Sequence, residues 1–462
     1  MTDFDVVVLG TGSGGKLAAT GLAGQGLRVL ALDPGLFGGE CPYLACVPSK
    51  ALLLAGHAGL TWAEAVRRRD AVTDARDDAG SRTSLEEADV VTARARGVLL
   101  PRVDETHRVR LADRVDGDAR DVADVVTARI VVVAPGSEAS VPPVDGLDAV
   151  PYWTSDDALS TTAQPASLVI VGGGAIGCEL SQAFALLGTR VHLVEIADRL
   201  LGTESDWVGP LLADRLRQDG VDVRVGVTPT RVERTADGVR VHLEDGATVE
   251  ADRLLVAGGR TGRAKDLGLE AYGVEPDDHG QVQVDARCRL LDADGRSVEG
   301  LFAVGDVTTD SAYTHSANHQ AEVVAAEVAG QGYDADYSAD PRAVYTEPTV
   351  FCVGLTPDQA EEQGLALRRL GVALTDVERG TLVTETTTVD GSREVRGRVE
   401  ILLDPAAGVV LGAACVGPAA DSWGGELALA IRARVPLTTL RHHIRAFPTW
   451  TEAIGTALRQ AD

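Results

Sequence analysis

The chain opens with an apolar run, a glycine-rich turn and a helical pattern, and the same order returns later. Residues 6–9 (VVVL) predict a buried strand, residues 10–15 (GTGSGG) the turn, and a second strand ends on Asp33. In the second copy, residues 168–171 (LVIV) precede residues 172–177 (GGGAIG), a helix through Leu187 and a strand that ends on Glu195. The spacing from first glycine to acid is 23 residues in both copies. The pattern predicts two strand-turn-helix-strand units.

Both turns have the G-x-G-x-x-G spacing that is typical of dinucleotide binding. The first glycine makes the turn, the second lets pyrophosphate approach the backbone, and the third lets helix and strand pack closely. We expect these contacts from Gly10, Gly12, Gly15, Gly172, Gly174 and Gly177. Asp33 and Glu195 are placed to accept hydrogen bonds from a ribose. Because a carboxylate disfavours a 2′-phosphate, the second site favours NADH over NADPH, although Arg199 lies nearby.

The rest of the chain contains further strands and a unit without a nucleotide signature. We interpret residues 62–125 as structural scaffold and solvated surface. A charged helical segment is predicted from about Trp62 to Arg96, with short strands after it. Asp306 lies at the carboxyl end of a buried strand, where doubly wound sheets place ligand contacts. Beyond about residue 340 the pattern predicts an α+β unit with two helices. The predicted strands are residues 251–260, 301–307, 382–389, 399–403 and 409–416.

Composition restricts the functional classes. A chain of 462 residues predicts two to four domains, and no apolar run approaches the roughly 20 residues that span a bilayer. The N-terminus lacks the basic region of a signal peptide, which favours a cytoplasmic location. With 43 basic and 69 acidic residues the net charge is -26, which disfavours binding to nucleic acids and anionic membranes.

Residues 38–50 (GGECPYLACVPSK) contain two cysteines, Cys41 and Cys46, with four residues between them. They could form a structural staple, half a metal site, or a dithiol that opens and closes during turnover. Six cysteines in a chain of this length are not the framework of a small secreted protein, so any disulfide is expected to be catalytic. Zinc sites usually add a second cysteine pair or histidines, and the sequence shows no such set.

The motifs together resemble the flavoprotein disulfide reductase family, which includes dihydrolipoamide dehydrogenase, glutathione reductase and mercuric reductase. The resemblance rests on both glycine turns, the cysteine segment, VAGGR, FAVGDV and YTEPTVFCVGLT. It implies an α/β fold with two Rossmann-like domains for FAD and NAD, and a C-terminal α+β domain that forms a homodimer. The implied boundaries are 1–150 and 274–340 for the FAD domain, 151–273 for the NAD domain, and 341–462 for the dimerisation domain.

The resemblance also implies roles for individual residues. NADH reduces the flavin, which passes electrons to Cys46, and Cys41 then attacks the acceptor. We expect both cysteines on the first turn of a helix whose N-terminus stabilises a thiolate. Lys50 is implied to lie near flavin N5 and to pair with Glu179. Further cofactor contacts are implied for Asp306 at the ribityl chain, His315 near the flavin, Gly136, Gly259 and Gly305.

Several residues depart from the family pattern. Phe447 stands where dithiol-handling relatives have a histidine that serves as general base from across the dimer, while Glu452 matches the glutamate that orients it. His442 and His443 are candidate replacements, although we expect ordinary helix histidines. Glu40 replaces a threonine near the FAD phosphates and is expected to point to solvent. Pro135 lies inside a usual Ala-Thr-Gly turn, and no cysteine follows Cys415.

The sequence therefore predicts an NADH-dependent FAD oxidoreductase that reduces a disulfide or another thiol-reactive acceptor through Cys41 and Cys46. We expect the acceptor, which the sequence does not identify, to be a small molecule or small protein, and the enzyme not to be a standard dihydrolipoamide dehydrogenase. In one alternative, the flavin passes electrons directly to a quinone, soft metal ion or other acceptor, and the cysteines are regulatory. In another, the protein is a redox-sensing flavoprotein with little turnover.

Overall fold

We describe a computed structural model of the chain, which covers residues 2–115, 118–119, 121–387 and 396–461. The strands are β1 Thr2–Leu9, β2 Val29–Leu32, β3 Val90–Ala93, β4 Arg96–Val103, β5 Thr106–Ala112, β6 Val125–Val133, β7 Ser137–Ala139, β8 Ser167–Val171, β9 Arg190–Val194, β10 Asp222–Arg224, β11 Pro229–Arg234, β12 Val239–Leu243, β13 Thr248–Ala251, β14 Arg253–Val256, β15 Arg260–Gly262, β16 Arg289–Leu291, β17 Ser297–Ala303, β18 Pro341–Val344, β19 Thr349–Gly354, β20 Arg368–Ala373, β21 Arg398–Asp404 and β22 Val409–Gly417.

The helices alternate with these strands along the chain. They are α1 Ser13–Ala23, α2 Glu40–Tyr43, α3 Cys46–His57, α4 Trp62–Val72, α5 Ala79–Glu86, α6 Ser155–Ser160, α7 Ala175–Leu186, α8 Val208–Gln218, α9 Thr314–Val328, α10 Pro357–Glu362, α11 Glu378–Thr387, α12 Ala420–Trp423, α13 Gly425–Arg432, α14 Leu437–His442 and α15 Glu452–Arg459. None of the helices in the described parts of the chain is both long and apolar enough to cross a membrane.

The chain forms two compact units. The first comprises the chain up to Pro48, Arg67–Ser140 and Gly259–Tyr337. Its main sheet has the order β16-β17-β6-β1-β2-β3, in which β17, β6, β1, β2 and β3 are parallel. Val6 and Val8 pack into the core on one face of this sheet, and Val7 and Leu9 into the core on the other. This burial on both faces explains the continuous apolar run at the start of the chain.

The second unit comprises Ser49–Val66, Val141–Gly258 and the chain from Ser338 onward. It contains a parallel sheet of order β10-β9-β8-β14 and an antiparallel sheet of order β18-β19-β22-β21-β20. Helices α12 to α15 supply buried residues to the core on the antiparallel sheet. The predicted α/β class is confirmed, with two parallel sheets and a C-terminal α+β region. The predicted domain boundaries at residues 150, 273 and 340 stay predictions.

Three local predictions were wrong. The segment 382–387 belongs to helix α11 instead of a strand, while Thr388 and Val389 lie outside the described residues. Leu382 is 37% exposed, so the alternating pattern there marks no buried face. The segment after Trp62 ends its helices at Glu86, and its next strand, β3, joins the main parallel sheet. The C-terminal region has six helices among its described residues, where two were predicted.

Candidate active site

The two glycine turns have the same construction. Gly10 and Gly172 have φ angles of +99° and +115°, which favour glycine. A Cβ on Gly15 would lie 2.0 Å from the Gly10 carbonyl oxygen, and one on Gly177 would lie 1.8 Å from that of Gly172. Because glycine has no Cβ to clash at these positions, α1 and α7 can pack closely against their strands.

The second glycine of each turn has a different environment. Among the described residues, a Cβ on Gly12 or on Gly174 would meet no atom within 4 Å beyond its own chain neighbours. The fold itself therefore does not require glycine there, and each position leaves open space beside the N-terminus of an eleven- or twelve-residue helix. That space and the helix dipole fit a pyrophosphate group, so both turns fit the dinucleotides predicted for them.

Asp33 and Glu195, the acids after the second strand of each unit, accept hydrogen bonds that fix their orientation. Asp33 Oδ2 accepts hydrogen bonds of 2.7 Å from both the backbone N–H and the hydroxyl of Thr11. Glu195 accepts hydrogen bonds from the backbone N–H groups of Gly173 and Ala197. The two predicted ribose contacts thus have fixed orientations beside the turns.

Asp306 lies just beyond the carboxyl end of β17. Its Oδ2 accepts a hydrogen bond of 2.5 Å from the Ser137 hydroxyl, and burial raises the pKa of its carboxyl group. The neighbouring Gly305 has φ +82° and donates to the side chain of Gln320. Gly136 and Gly259 also adopt positive φ angles, and within the part of the chain that the structure describes, a Cβ on either would have only its chain neighbours within 4 Å. Their predicted cofactor contacts fit this open space.

The two cysteines of the predicted redox pair lie in different helices. Cys41 belongs to the one-turn helix α2, and Cys46 begins α3; both are half-buried. The prediction that they share the first turn of one helix was wrong. Pro48 has no N–H to donate to the carbonyl of Leu44, so a continuous helix over both cysteines would lack that hydrogen bond.

Cys46 occupies the position in which a thiolate is favoured. It is the first residue of a twelve-residue helix, where the helix dipole stabilises a thiolate. Its Sγ lies 3.7 Å from the Thr314 hydroxyl at the start of α9. His315, the next residue, is exposed, and its ring stacks on Tyr313 with centroids 5.3 Å apart.

The other four cysteines are at most 1% exposed. Burial raises the pKa of the thiol of Cys288 to about 12, and it also raises the thiol pKa values of Cys178, Cys352 and Cys415. A thiol that stays protonated is a poor nucleophile. Accessible thiol chemistry is therefore concentrated on Cys41 and Cys46.

The predicted pairing of Lys50 with Glu179 is confirmed. Lys50 Nζ lies 2.6 Å from Glu179 Oε2, and Glu179 Oε1 accepts a hydrogen bond of 2.9 Å from the Tyr345 backbone N–H. Lys50 Nζ is also 4.6 Å from the centroid of the Tyr345 ring. The Glu179 side chain is 6% exposed and that of Lys50 31%, so the carboxylate is buried while the lysine side chain is partly exposed. No sequence pattern indicated that Tyr345 contacts both members of this pair.

The C-terminal segment presents Phe447 to solvent. Its side chain is 73% exposed, and Glu452 Oε1 accepts a hydrogen bond of 2.7 Å from the Thr449 backbone N–H. His442 is the last residue of α14 and His443 follows it; both are exposed. The glutamate expected to orient a catalytic histidine is thus engaged with backbone two residues after Phe447.

The prediction that Glu40 points to solvent was wrong. Its carboxylate contacts Arg260 at 2.5 Å and Arg263 at 3.1 Å, and its side chain is 21% exposed. Opposite charges within ion-pair distance attract the side chain to these arginines. Arg260 ends the VAGGR segment, and the sequence predicted no role for it because its partner, Glu40, lies 220 residues away.

Comparisons with known proteins identify the family of the chain. Residues 4–330 match the family model of pyridine nucleotide-disulphide oxidoreductases, and residues 340–458 match that of their dimerisation domain. Dihydrolipoyl dehydrogenase of Haloferax volcanii is 34% identical, with 100% of this chain and 96% of that protein covered. The enzyme of the same name from Halobacterium salinarum is 32% identical, with the same coverage.

Solved structures show the same fold at lower identity. The HOCl-induced flavoprotein disulfide reductase RclA from Escherichia coli, solved as a Cu(II) complex, aligns with a TM-score of 0.84 at 24% identity, covering 100% of both chains. LpdA from Mycobacterium tuberculosis aligns with a TM-score of 0.84 at 24% identity, covering 100% of this chain and 99% of that one. The predicted family and enzyme class are confirmed. The chain belongs to the pyridine nucleotide-disulphide oxidoreductases, a family of FAD-dependent enzymes that use a pyridine nucleotide.

Proposed function

We propose that this enzyme uses NADH to reduce a disulfide or another thiol-reactive acceptor through Cys41 and Cys46, and that dihydrolipoamide is not its main partner. The observation that carries the proposal is the contrast among the six cysteines. Four are buried with raised thiol pKa values, while Cys41 and Cys46 are half-buried and Cys46 begins a helix. Bound FAD would supply two-electron transfer between the nicotinamide and this pair.

The residues of the chain would have separate tasks. Gly12 and Gly174 leave room for the two pyrophosphates, and Asp33 and Glu195 orient the riboses. The N-terminus of α3 stabilises a thiolate on Cys46, and Cys41 is the thiol that exchanges with the acceptor.

The acceptor proposal rests on Phe447. The relatives from Haloferax volcanii and Halobacterium salinarum are named dihydrolipoyl dehydrogenase. In this chain a side chain that cannot carry a proton stands at the position predicted for the general base. An acceptor that needs little proton transfer, such as a disulfide with a good leaving group, fits this arrangement better than the lipoamide disulfide.

The direct test is an anaerobic titration of the purified enzyme with NADH, followed by its visible spectrum. We expect a long-wavelength charge-transfer band and uptake of four electrons per chain, two more than FAD alone holds. That result would require a thiolate against the flavin. Loss of the flavin absorbance after two electrons, without the band, would refute the dithiol proposal.

The same exposed phenylalanine motivates a second candidate, in which electrons pass from the flavin directly to a quinone or a soft metal ion. Cu(II) is a reasonable probe, because RclA was solved as its Cu(II) complex. Cu(II) or quinone reduction that survives loss of both cysteines, at a rate above that with any disulfide, would favour this candidate.

The predicted preference for NADH is supported by the surroundings of Arg199. Its guanidinium contacts Asp198 at 3.3 Å and Asp358 at 3.5 Å and donates to the Gly202 carbonyl at 2.9 Å. A guanidinium bound to two carboxylates is less able to bind the 2′-phosphate of NADPH. The carboxylate of Glu195 repels that phosphate.

We therefore expect kcat/KM to be at least about 10-fold higher with NADH than with NADPH, since one unpaired like-charge contact costs more than about 1.4 kcal/mol. Steady-state kinetics with both nucleotides will measure it. Glu195→Gln should narrow the ratio, while the control Asp214→Asn, an exposed acid of α8, should leave it unchanged. A preference for NADPH in the unmodified enzyme would refute the assignment.

Phe447→His should raise activity with dihydrolipoamide by about 100-fold, because a positioned general base typically contributes 10²-fold or more. Dihydrolipoamide-dependent reduction of NAD⁺ will measure the gain. Phe447→Leu is the matched control, since it removes the ring without adding a base. No gain with histidine would mean that the shape of the acceptor pocket, rather than the missing base, excludes dihydrolipoamide.

The enzyme is proposed to act as a homodimer. The dimerisation model matches residues 340–458, and this region exposes large apolar side chains: Leu429 at 68%, Ile444 at 92% and Phe447 at 73%. Apolar residues exposed to this degree are typical of surfaces that a partner covers. Sedimentation of the holoenzyme at the mass of one chain, about 48 kDa, would contradict the proposal.

A further inference from the structure

Cys41 lies in α2, a helix that is too short to be stable without contacts to the rest of the protein. The four-residue helix α2 has the hydrogen bond from the Leu44 N–H to the Glu40 carbonyl, 2.7 Å long. A single helical turn is unstable in isolation, because the entropy of fixing its backbone exceeds the gain from one hydrogen bond. The position of the Cys41 thiol therefore depends on contacts made by the neighbouring side chains.

Side chains at both ends of α2 make such contacts. At the first residue, the two carboxylate oxygens of Glu40 contact different guanidinium groups, those of Arg260 and Arg263. At the last residue, the Tyr43 hydroxyl lies 2.8 Å from the Ser81 hydroxyl. The Glu40 contact is charge-assisted and has two arms, so it restrains both the position and the direction of the turn.

The Arg260 side chain is itself held in place by hydrogen bonds to Ser137. Arg260 Nε donates to the Ser137 hydroxyl at 2.6 Å, and its terminal nitrogen donates to the Ser137 carbonyl at 2.9 Å. Ser137 is 3% exposed and donates in turn to Asp306, at the carboxyl end of β17. Hydrogen bonds thus connect Glu40 to Asp306, the residue predicted to bind the ribityl chain of FAD. Asp306 follows a strand of the main parallel sheet, which fixes this end of the connection.

We propose that Glu40 is a positioning residue for Cys41: its ion pairs with Arg260 and Arg263 hold α2 so that the Cys41 sulfur stays within reach of Cys46. The inference rests on the proposed function of the pair. Restraint of one thiol beside another raises their effective concentration, which favours the disulfide over the dithiol. Glutathione disulfide can take the two electrons and two protons released when the S–S bond forms, and becomes two glutathione thiols.

The test measures this equilibrium in the FAD-loaded enzyme, without any acceptor or turnover. The enzyme is equilibrated anaerobically in glutathione buffers of defined ratio, quenched with acid and alkylated, and the peptide with both cysteines is analysed by mass. For Glu40→Gln we expect the equilibrium constant for disulfide formation to fall on the order of tenfold, which is about 30 mV for a two-electron couple. Glu138→Gln is the matched control: Glu138 contacts Arg263 at 3.6 Å but lies on β7. It should keep the unmodified value.

Arg263→Gln separates position from charge. A positioning role predicts that it weakens the disulfide too, to a smaller extent, because Glu40 keeps Arg260. A purely electrostatic effect predicts opposite shifts, since one variant removes a negative charge and the other a positive one. Opposite shifts, or an unchanged equilibrium in Glu40→Gln, would overturn the inference. If the pair of the unmodified enzyme does not titrate at all, the proposed function fails first. Should Glu40→Gln fail to fold, the sign of the Arg263→Gln shift still decides.

Discussion

Replacing either Cys41 or Cys46 with serine is expected to lower NADH-dependent disulfide reduction by at least about 10³-fold. A serine hydroxyl stays protonated at neutral pH and cannot form the mixed disulfide through which thiol exchange proceeds. Because the two thiols act as one unit, the double variant should lose no more than either single variant. The measurement is NADH oxidation under anaerobic conditions with a small disulfide as acceptor, together with the rate at which NADH reduces the flavin, which should persist.

A buried cysteine provides the control. Cys415 is fully buried in β22 and burial raises its thiol pKa, so Cys415→Ala should retain turnover. Retained disulfide reduction in the double variant Cys41→Ser, Cys46→Ser would contradict the proposed function. It would then favour direct transfer from the flavin, with the cysteines in a regulatory role.

Lys50→Met should slow flavin reduction by NADH by about 100-fold, the typical cost of losing one preorganised charged group at a reacting centre. It should also lower the free energy of unfolding by about 2 kcal/mol, because the Glu179 carboxylate, 6% exposed, loses its ammonium partner. The partial exposure of Lys50 makes this cost smaller than that of a fully buried pair. Stopped-flow absorbance and denaturant unfolding measure the two effects.

The other lysines supply a matched comparison. Lys265 is exposed, and Lys265→Met removes the same charge and chain length without touching Glu179. We expect it to change neither rate nor stability appreciably. Glu179→Gln keeps the shape of the partner and should slow the same step. If Lys50→Met destabilises the protein but reduces the flavin at the normal rate, the ion pair is structural and its predicted catalytic role is wrong.

The parts of this protein that the sequence predicts well are those governed by local geometry. The glycine turns follow from spacing alone, since the steric conflict between Gly15 and the Gly10 carbonyl involves residues five apart. The pairing of Lys50 with Glu179 needed the family resemblance, because the two are 129 residues apart.

What the sequence did not predict depends on distant contacts or on competing local preferences. The orientation of Glu40 is decided by Arg260 in β15 and by Arg263 just after that strand, which are distant in the sequence, so no local pattern could indicate it. The segment in α11 is rich in threonine, whose intrinsic preference is for strands, yet it forms a helix with Glu378 in the first turn.

The different surroundings of the glycines have a consequence for comparing sequences across species. Gly15 and Gly177 are required by contacts within the protein, so they should persist even in a descendant that no longer binds a nucleotide. Beside Gly12 and Gly174 the described residues leave open space, so we expect selection on these two glycines to act through the ligand. A relative with a larger residue at the middle position, but glycine at the third, has therefore kept the architecture after losing that cofactor. Aligned genomes can be searched for this signature, separately for each of the two turns.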